Sequence, residues 1–300
     1  MRELRDGFLV TDRRKRLWNI EIEILQDIQK VCQKNDIQYF LIYGAALGAV
    51  RHKGFIPWDD DIDIGMLRSD FDRFVSAYSA NGNKKYCFQY GCSRKGEEST
   101  FLRIRSRNST AIIRSQKSKN CTHGVFVEVY PYDQIPDNKI LRILQLKTCT
   151  VLKLLLDERF NGVYVKSSLI SLIRFLSKPF SNQAIWNIWH HFCSKYNGSN
   201  NKYISTPAMP NYQKEGDIYL RSDFNGVINE SFESINVSIP VGFENMLKQN
   251  YGDYMQLPPV EERGKYHERI VFFDPDKPYT DYFGSQIVDD YFSGKVENDL

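Results

Sequence analysis

Residues 54–66 read GFIPWDDDIDIGM, so four aspartates (Asp59, Asp60, Asp61 and Asp63) stand inside a run of Phe55, Ile56, Trp58, Ile62, Ile64 and Met66. Side chains on a strand alternate between its two faces. If Ile62 and Ile64 face a core, Asp60 falls on their side, and Asp59, Asp61 and Asp63 share the other. A slip of one residue would bury Asp61 and Asp63 without partners, costing roughly several kcal/mol. The register is thereby fixed, and so is a concentration of negative charge that must be neutralised by proton sharing or by a divalent cation. Hard oxygen ligands at i and i+2 suit Mg²⁺ or Mn²⁺, which bind through a few carboxylates plus substrate phosphates. A solvated acidic loop is the common fate of such a run, but the isoleucines and Trp58 argue against it here. A calcium loop starting at Asp59 would need glycine at position 64 and glutamate at 70, where the chain has Ile64 and Asp70.

The acids follow a unit of strand, glycine turn and helix: QYFLIY (38–43) reads as a short buried strand and GAALGAVRH (44–52) as a tight turn into a helix. Gly44, Ala45 and Gly48 keep side chains small where a phosphate could approach backbone N–H groups, and Arg51 and Lys53 bring positive charge close to the acids. Helix packing on a sheet selects the same small residues, so the turn gains meaning from the acids that follow it. A metal-assisted centre needs a third acid from a neighbouring strand. GVFVEVYPYD (124–133) offers Glu128, flanked by Val127 and Val129; the alternative is an exposed strand glutamate opposite a basic residue.

Periodicity predicts a helix over 14–34, a strand DIDIGM (61–66), and a helix over 70–80 capped by Ser69. Strands are expected at 86–91, 100–106, 110–114 and 124–130. Up to residue 135 the pattern is a mixed α/β core. After Pro136 come helical segments at 139–160, 167–178 and 184–196, and a mostly helical second half over 136–300 is expected, with a boundary near 135.

No membrane span is expected, because the longest apolar stretch (40–50) is far short of the roughly 18–20 residues that crossing requires. Met1–Trp18 lacks the apolar segment of a secretory signal, and six cysteines without a CxxC pair fit reduced thiols, so a cytoplasmic protein is expected. With 40 basic and 37 acidic residues the net charge is +3, which implies no nucleic-acid partner. Locally, 139–178 holds eight basic residues against Asp157 and Glu158, interleaved with leucines and isoleucines. Such helices either lie on an anionic membrane surface or turn their apolar face to the core.

The spacing of Gly44, Asp61, Asp63 and Glu128 resembles the core of the nucleotidyltransferase superfamily. The fuller string GAALGAVRHKGFIPWDDDIDIGMLRSDFDRF is similar to the LicD family of phosphorylcholine-type transferases, related to the fukutin group. GVFVEVYPYD (124–133) and NYGDYMQLPPVEERGKYH (250–267) are similar to further segments of that family, whereas 136–240 matches little. Two departures stand out: Gly44-Ala45 stands where the superfamily often has Gly-Ser or Gly-Gly and LicD relatives Gly-Thr, and Glu128 stands where aspartate is more frequent.

The resemblance implies a nucleotidyltransferase-like fold and transfer of a phospho-alcohol, such as phosphocholine or a polyol phosphate, from a CDP-linked donor to a sugar hydroxyl. The acceptor would be a cell-surface glycan (lipopolysaccharide, capsule or teichoic acid precursor), and a lipid-linked acceptor would be served by a peripheral seat of 139–178 on the inner membrane face. Asp61, Asp63 and Glu128 would hold Mg²⁺ or Mn²⁺, Glu128 serving as ligand or base with Asp59 in support. Arg51, Lys53, Arg103 and Arg105 are candidates for the donor's phosphates, and Arg263 and His267 for closing the site. The same core could instead transfer a nucleotide, or serve as a catalytically silent glycan-assembly protein; the intact acids argue against the latter.

Overall fold

The computed structural model describes residues 2–92, 97–113, 122–162, 166–207, 217–264 and 270–292. A short hairpin, β1 (Glu3–Arg5) and β2 (Phe8–Val10), leads into the long helix α1 (Asp12–Lys34). Thr11 caps α1 by accepting the Arg14 N–H at 3.1 Å, and Leu17, Ile24, Leu25 and Ile28 form its buried stripe. Next come β3 (Phe40–Leu41), α2 (Tyr43–Leu47) continued by a π turn over Gly48–His52, β4 (Asp63–Leu67), α3 (Arg68–Asn81), β5 (Tyr86–Gly91), β6 (Ser99–Ser106), β7 (Thr110–Ile113) and β8 (Phe126–Ile135). The second half contains α4 (Lys139–Asn161), α5 (Ser168–Ser177), α6 (Asn182–Ser194), β9 (Tyr203–Ser205), β10 (Ile218–Leu220), β11 (Val227–Phe232), β12 (Ile235–Pro240), α7 (Phe243–Tyr251), β13 (Ile270–Asp274) and α8 (Gln286–Phe292).

The architecture is the expected α/β class with a mixed sheet. β4 runs parallel to β8, β3 antiparallel to β4, and β6 antiparallel to β8 with β5 beyond it. Strand β8 is the spine: its first half pairs with β4 and β6, and Asp133–Ile135 pair with β9, which carries β10. The second half supplies α4–α8 and also returns these strands to the sheet, while β13 pairs with β7. The chain on either side of residue 135 therefore shares one sheet, and the principal core runs from Val10 to Phe273.

Three local expectations shift. The strand in QYFLIY contracts to Phe40–Leu41, because Tyr43 enters α2 with φ 47°. The acidic strand begins at Asp63, two residues later than its alternation suggests: the Asp59 carbonyl is claimed by Arg14 Nη1 (2.9 Å) and Trp18 Nε1 (3.0 Å) of α1. Helix α3 starts at Arg68 with no side-chain cap, so Ser69 does not play that part. Arg68 instead donates from Nε and Nη2 to both carboxylate oxygens of the buried Asp133, each at 2.7 Å, tying the helix start to β8.

Candidate active site

Parallel pairing sets Asp63, the first residue of β4, directly beside Glu128 of β8. Asp61 lies two residues upstream on the approach to the strand. One carboxylate oxygen from each of Asp61, Asp63 and Glu128 lies within 4.8 Å of the other two. Two oxygens on one Mg²⁺ stand up to about 4.2 Å apart, so small side-chain adjustments suffice to bring the three onto one ion. Glu128 is fully buried, whereas Asp61 and Asp63 are half-buried, giving the cluster a closed floor and an accessible side. Ile62 and Ile64 are both fully buried, which fixes the register as the alternation requires.

Glu128 is held rigidly. Its Oε1 accepts Arg103 Nε at 2.7 Å and its Oε2 accepts the Tyr130 hydroxyl at 2.5 Å. Arg103 is its cross-strand partner on β6, and the guanidinium stacks 4.3 Å over the Phe101 ring. Three carboxylates gathered this closely repel one another, a charge concentration of the kind a divalent cation would balance.

Asp59 and Asp60 form the rear of the site. Oxygens of Asp59, Asp60 and Asp61 also lie within 4.8 Å of one another, so the two groups share Asp61. Asp60 Oδ2 accepts the Ile270 N–H at 3.1 Å, linking that residue to β13. A Cβ on Gly44 would stand 2.4 Å from Asp59 Oδ2, so the glycine leaves room for this carboxylate. Gly48 is selected differently, since its Cβ would meet the Gly54 carbonyl oxygen at 2.4 Å. Ala45 is buried against the core.

The basic residues engage groups of the protein itself. Arg51 Nη1 donates to the carbonyls of Tyr254 (2.8 Å) and Gln256 (3.1 Å). Arg263 donates to the carbonyls of Pro258 (2.9 Å) and Asp6 (2.6 Å), with its guanidinium 5.3 Å from the Trp58 ring centroid. Together these arginines strap the 254–263 segment to the loops around the acids. Lys53 pairs with Glu230 at 2.7 Å. Arg105 is fully buried and donates to Gln89 Oε1 and the Gly124 carbonyl, each at 2.8 Å. Arg103 serves Glu128. His267 lies outside the described residues.

Two participants escape a strand-based reading. Tyr130 lies two residues beyond Glu128 and shares its face, a relation visible in the sequence once Glu128 is singled out. Glu21 of α1 is fully buried, and neither carboxylate oxygen has a hydrogen-bond partner among the described residues. Burial, followed by the charges of Asp61, Asp60, Asp59 and Asp63, pushes its carboxyl well above the ordinary range. Its sequence signal is an acid within the apolar stripe Leu17, Glu21, Ile24, Ile28.

The chain is similar to known proteins. Residues 36–140 match the family described as LicD/FKTN/FKRP, nucleotidyltransferase domain. The chain is 31% identical over 260 residues to the lipopolysaccharide cholinephosphotransferase LicD of Haemophilus influenzae, covering 82% of this chain and 92% of that protein. An uncharacterized protein of Rickettsia prowazekii is 46% identical over 48 residues, 16% of this chain and 18% of the relative.

Proposed function

The chain belongs to the LicD family, and on that premise we propose that it transfers a phospho-alcohol, phosphocholine foremost, from a CDP-linked donor to a sugar hydroxyl of a cell-surface glycan such as lipopolysaccharide. The observation that carries the reading is the Asp61–Asp63–Glu128 cluster, with its oxygens within 4.8 Å, in a chain that aligns along most of its length with a lipopolysaccharide cholinephosphotransferase.

The three carboxylates Asp61, Asp63 and Glu128 form a hard-oxygen donor set that would suit Mg²⁺ or Mn²⁺. A bound ion would neutralise charge on the transferring and leaving phosphate oxygens. Glu128 acts as a positioned ligand, because Arg103 and Tyr130 already engage both of its oxygens. The proton of the attacking hydroxyl then falls to Asp59, whose Oδ2 lies over Gly44 at the entry to α2. The new bond joins the acceptor oxygen to the β phosphorus, the bond from that phosphorus to the bridging oxygen breaks, and CMP departs.

Attack at the α phosphorus of a nucleoside triphosphate is the second reading, favoured by the nucleotidyltransferase description of the matching family. Incubation with CDP-alcohols and nucleoside triphosphates plus Mg²⁺ and a lipopolysaccharide acceptor separates the two. CMP release with phosphocholine on the glycan is expected; pyrophosphate without CMP would overturn the assignment.

A further inference from the structure

Helix α4 presents Ile140, Leu144, Lys147, Val151, Leu154 and Glu158 along one face at helical spacing. The last turn of α4 is tied to α5, through Arg174 Nη2 to Glu158 Oε2 at 2.7 Å and Arg159 Nη2 to the Ser177 carbonyl at 2.8 Å. Over the first half of α4 that face is open: Ile140 is 76% exposed and Leu144 is 62% exposed. The outer side of α5 continues in the same vein. Ile170 and Ser177 point inward and are buried, while Leu172, Phe175 and Leu176 are 56%, 64% and 60% exposed, followed by Phe180 at 52%. A surface helix of a free-standing protein carries polar residues at such positions, so this much open apolar surface marks a contact face.

Charge identifies what the face contacts. Its two acids are consumed locally, Asp157 by Lys153 and Glu158 by Arg174. Lys139, Lys147, Lys166 and Lys178 are exposed around the apolar side chains. A second copy of the chain would bring the same positive charge against itself, which opposes face-to-face pairing. An anionic bilayer satisfies both features at once, taking apolar side chains into the headgroup boundary and lysines against its surface charge. Among the described residues no helix is long and apolar enough to cross a membrane, so the contact is peripheral.

We propose that the outer face of α4 and α5 seats this protein on an anionic lipid surface. The seat is independent of the acid site, and vesicle binding tests it without any turnover. The full chain is sedimented with vesicles of phosphatidylcholine alone and of phosphatidylcholine with phosphatidylglycerol, at low and high salt. Binding to the anionic vesicles, weakened by salt, is expected. Each lysine at such a surface contributes about fivefold in partition, so Lys139→Gln/Lys147→Gln should bind about 25-fold more weakly. Phe175→Glu/Leu176→Glu, which changes exposed side chains only, should lose binding while keeping its melting temperature. Equal binding to both vesicles, or binding to neither, would overturn the proposal. So would a dimer in solution that Phe175→Glu/Leu176→Glu converts to monomer, because the face would then belong to a second copy.

Discussion

Arg103 and Glu128 face each other across the β6–β8 pair with Nε 2.7 Å from Oε1, and Glu128 is fully buried. Removing the arginine leaves a buried carboxylate beside Asp63 without its counter-charge. Arg103→Met should therefore destabilise the fold by about 3–5 kcal/mol and abolish turnover. Arg103→Met/Glu128→Gln should recover much of that stability and none of the activity. Denaturant unfolding of the two variants, read beside CMP release, checks both halves.

Glu21 gives a pH-dependent prediction. Its carboxyl is raised by burial and then by the neighbouring aspartates, from an ordinary value of 4.5. A group raised on folding contributes stability that is fully present below its unfolded pKa and is lost as pH rises toward the folded value. Without added metal, the contribution of Glu21 to stability should thus be lost as pH climbs above about 4.5. Glu21→Leu extends the apolar stripe of α1 and should remove that component, raising stability at neutral pH by about 1–3 kcal/mol. Urea unfolding at pH 5 and pH 8 measures the difference; an unchanged pH slope in the variant would contradict it.

The two glycines before the acids should fail in different ways. An added methyl at Gly44 meets a side-chain oxygen of Asp59, whereas one at Gly48 meets the backbone carbonyl of Gly54. Gly44→Ala should reduce turnover at least tenfold with a loss of stability under about 1 kcal/mol, while Gly48→Ala should cost about 1–3 kcal/mol by overpacking. Melting temperature and turnover, measured together on both variants, distinguish the roles.

Arg51 and Arg263 should behave as straps. Arg51→Ala frees the Tyr254 and Gln256 carbonyls, and Arg263→Ala frees that of Pro258. Limited proteolysis should then cleave within 252–264 several-fold faster than in the native chain. Unchanged cleavage with weakened donor binding would return these arginines to the phosphate role that their position in the sequence suggests.

The Asp61–Asp63–Glu128 cluster was legible because its signal is local: the i, i+2 spacing around the buried Ile62 puts Asp61 and Asp63 together, and Val127 and Val129 frame Glu128. What the pattern does not carry is the partner of each charge. Arg103 and Arg105 occupy equivalent alternate positions on β6, yet one reaches Glu128 and the other is enclosed by Gln89 and Gly124. Tertiary neighbours decide between them. The late start of β4 has the same origin, since Arg14 and Trp18 of a distant helix take the Asp59 carbonyl. β9 and β10, at three residues each, are too short to show a period. Glu21 was masked by the helix around it, where one acid in an apolar stripe passes for an irregularity.

Mn²⁺ binding to the intact chain, followed by titration calorimetry, tests the central assignment most directly. The expected result is a binding event in the native protein that Asp61→Asn and Asp63→Asn each weaken by at least about 100-fold with the melting temperature of the metal-free chain preserved, and CMP release lost in parallel. Native affinity in both variants would contradict the assignment of Asp61, Asp63 and Glu128 as the metal centre.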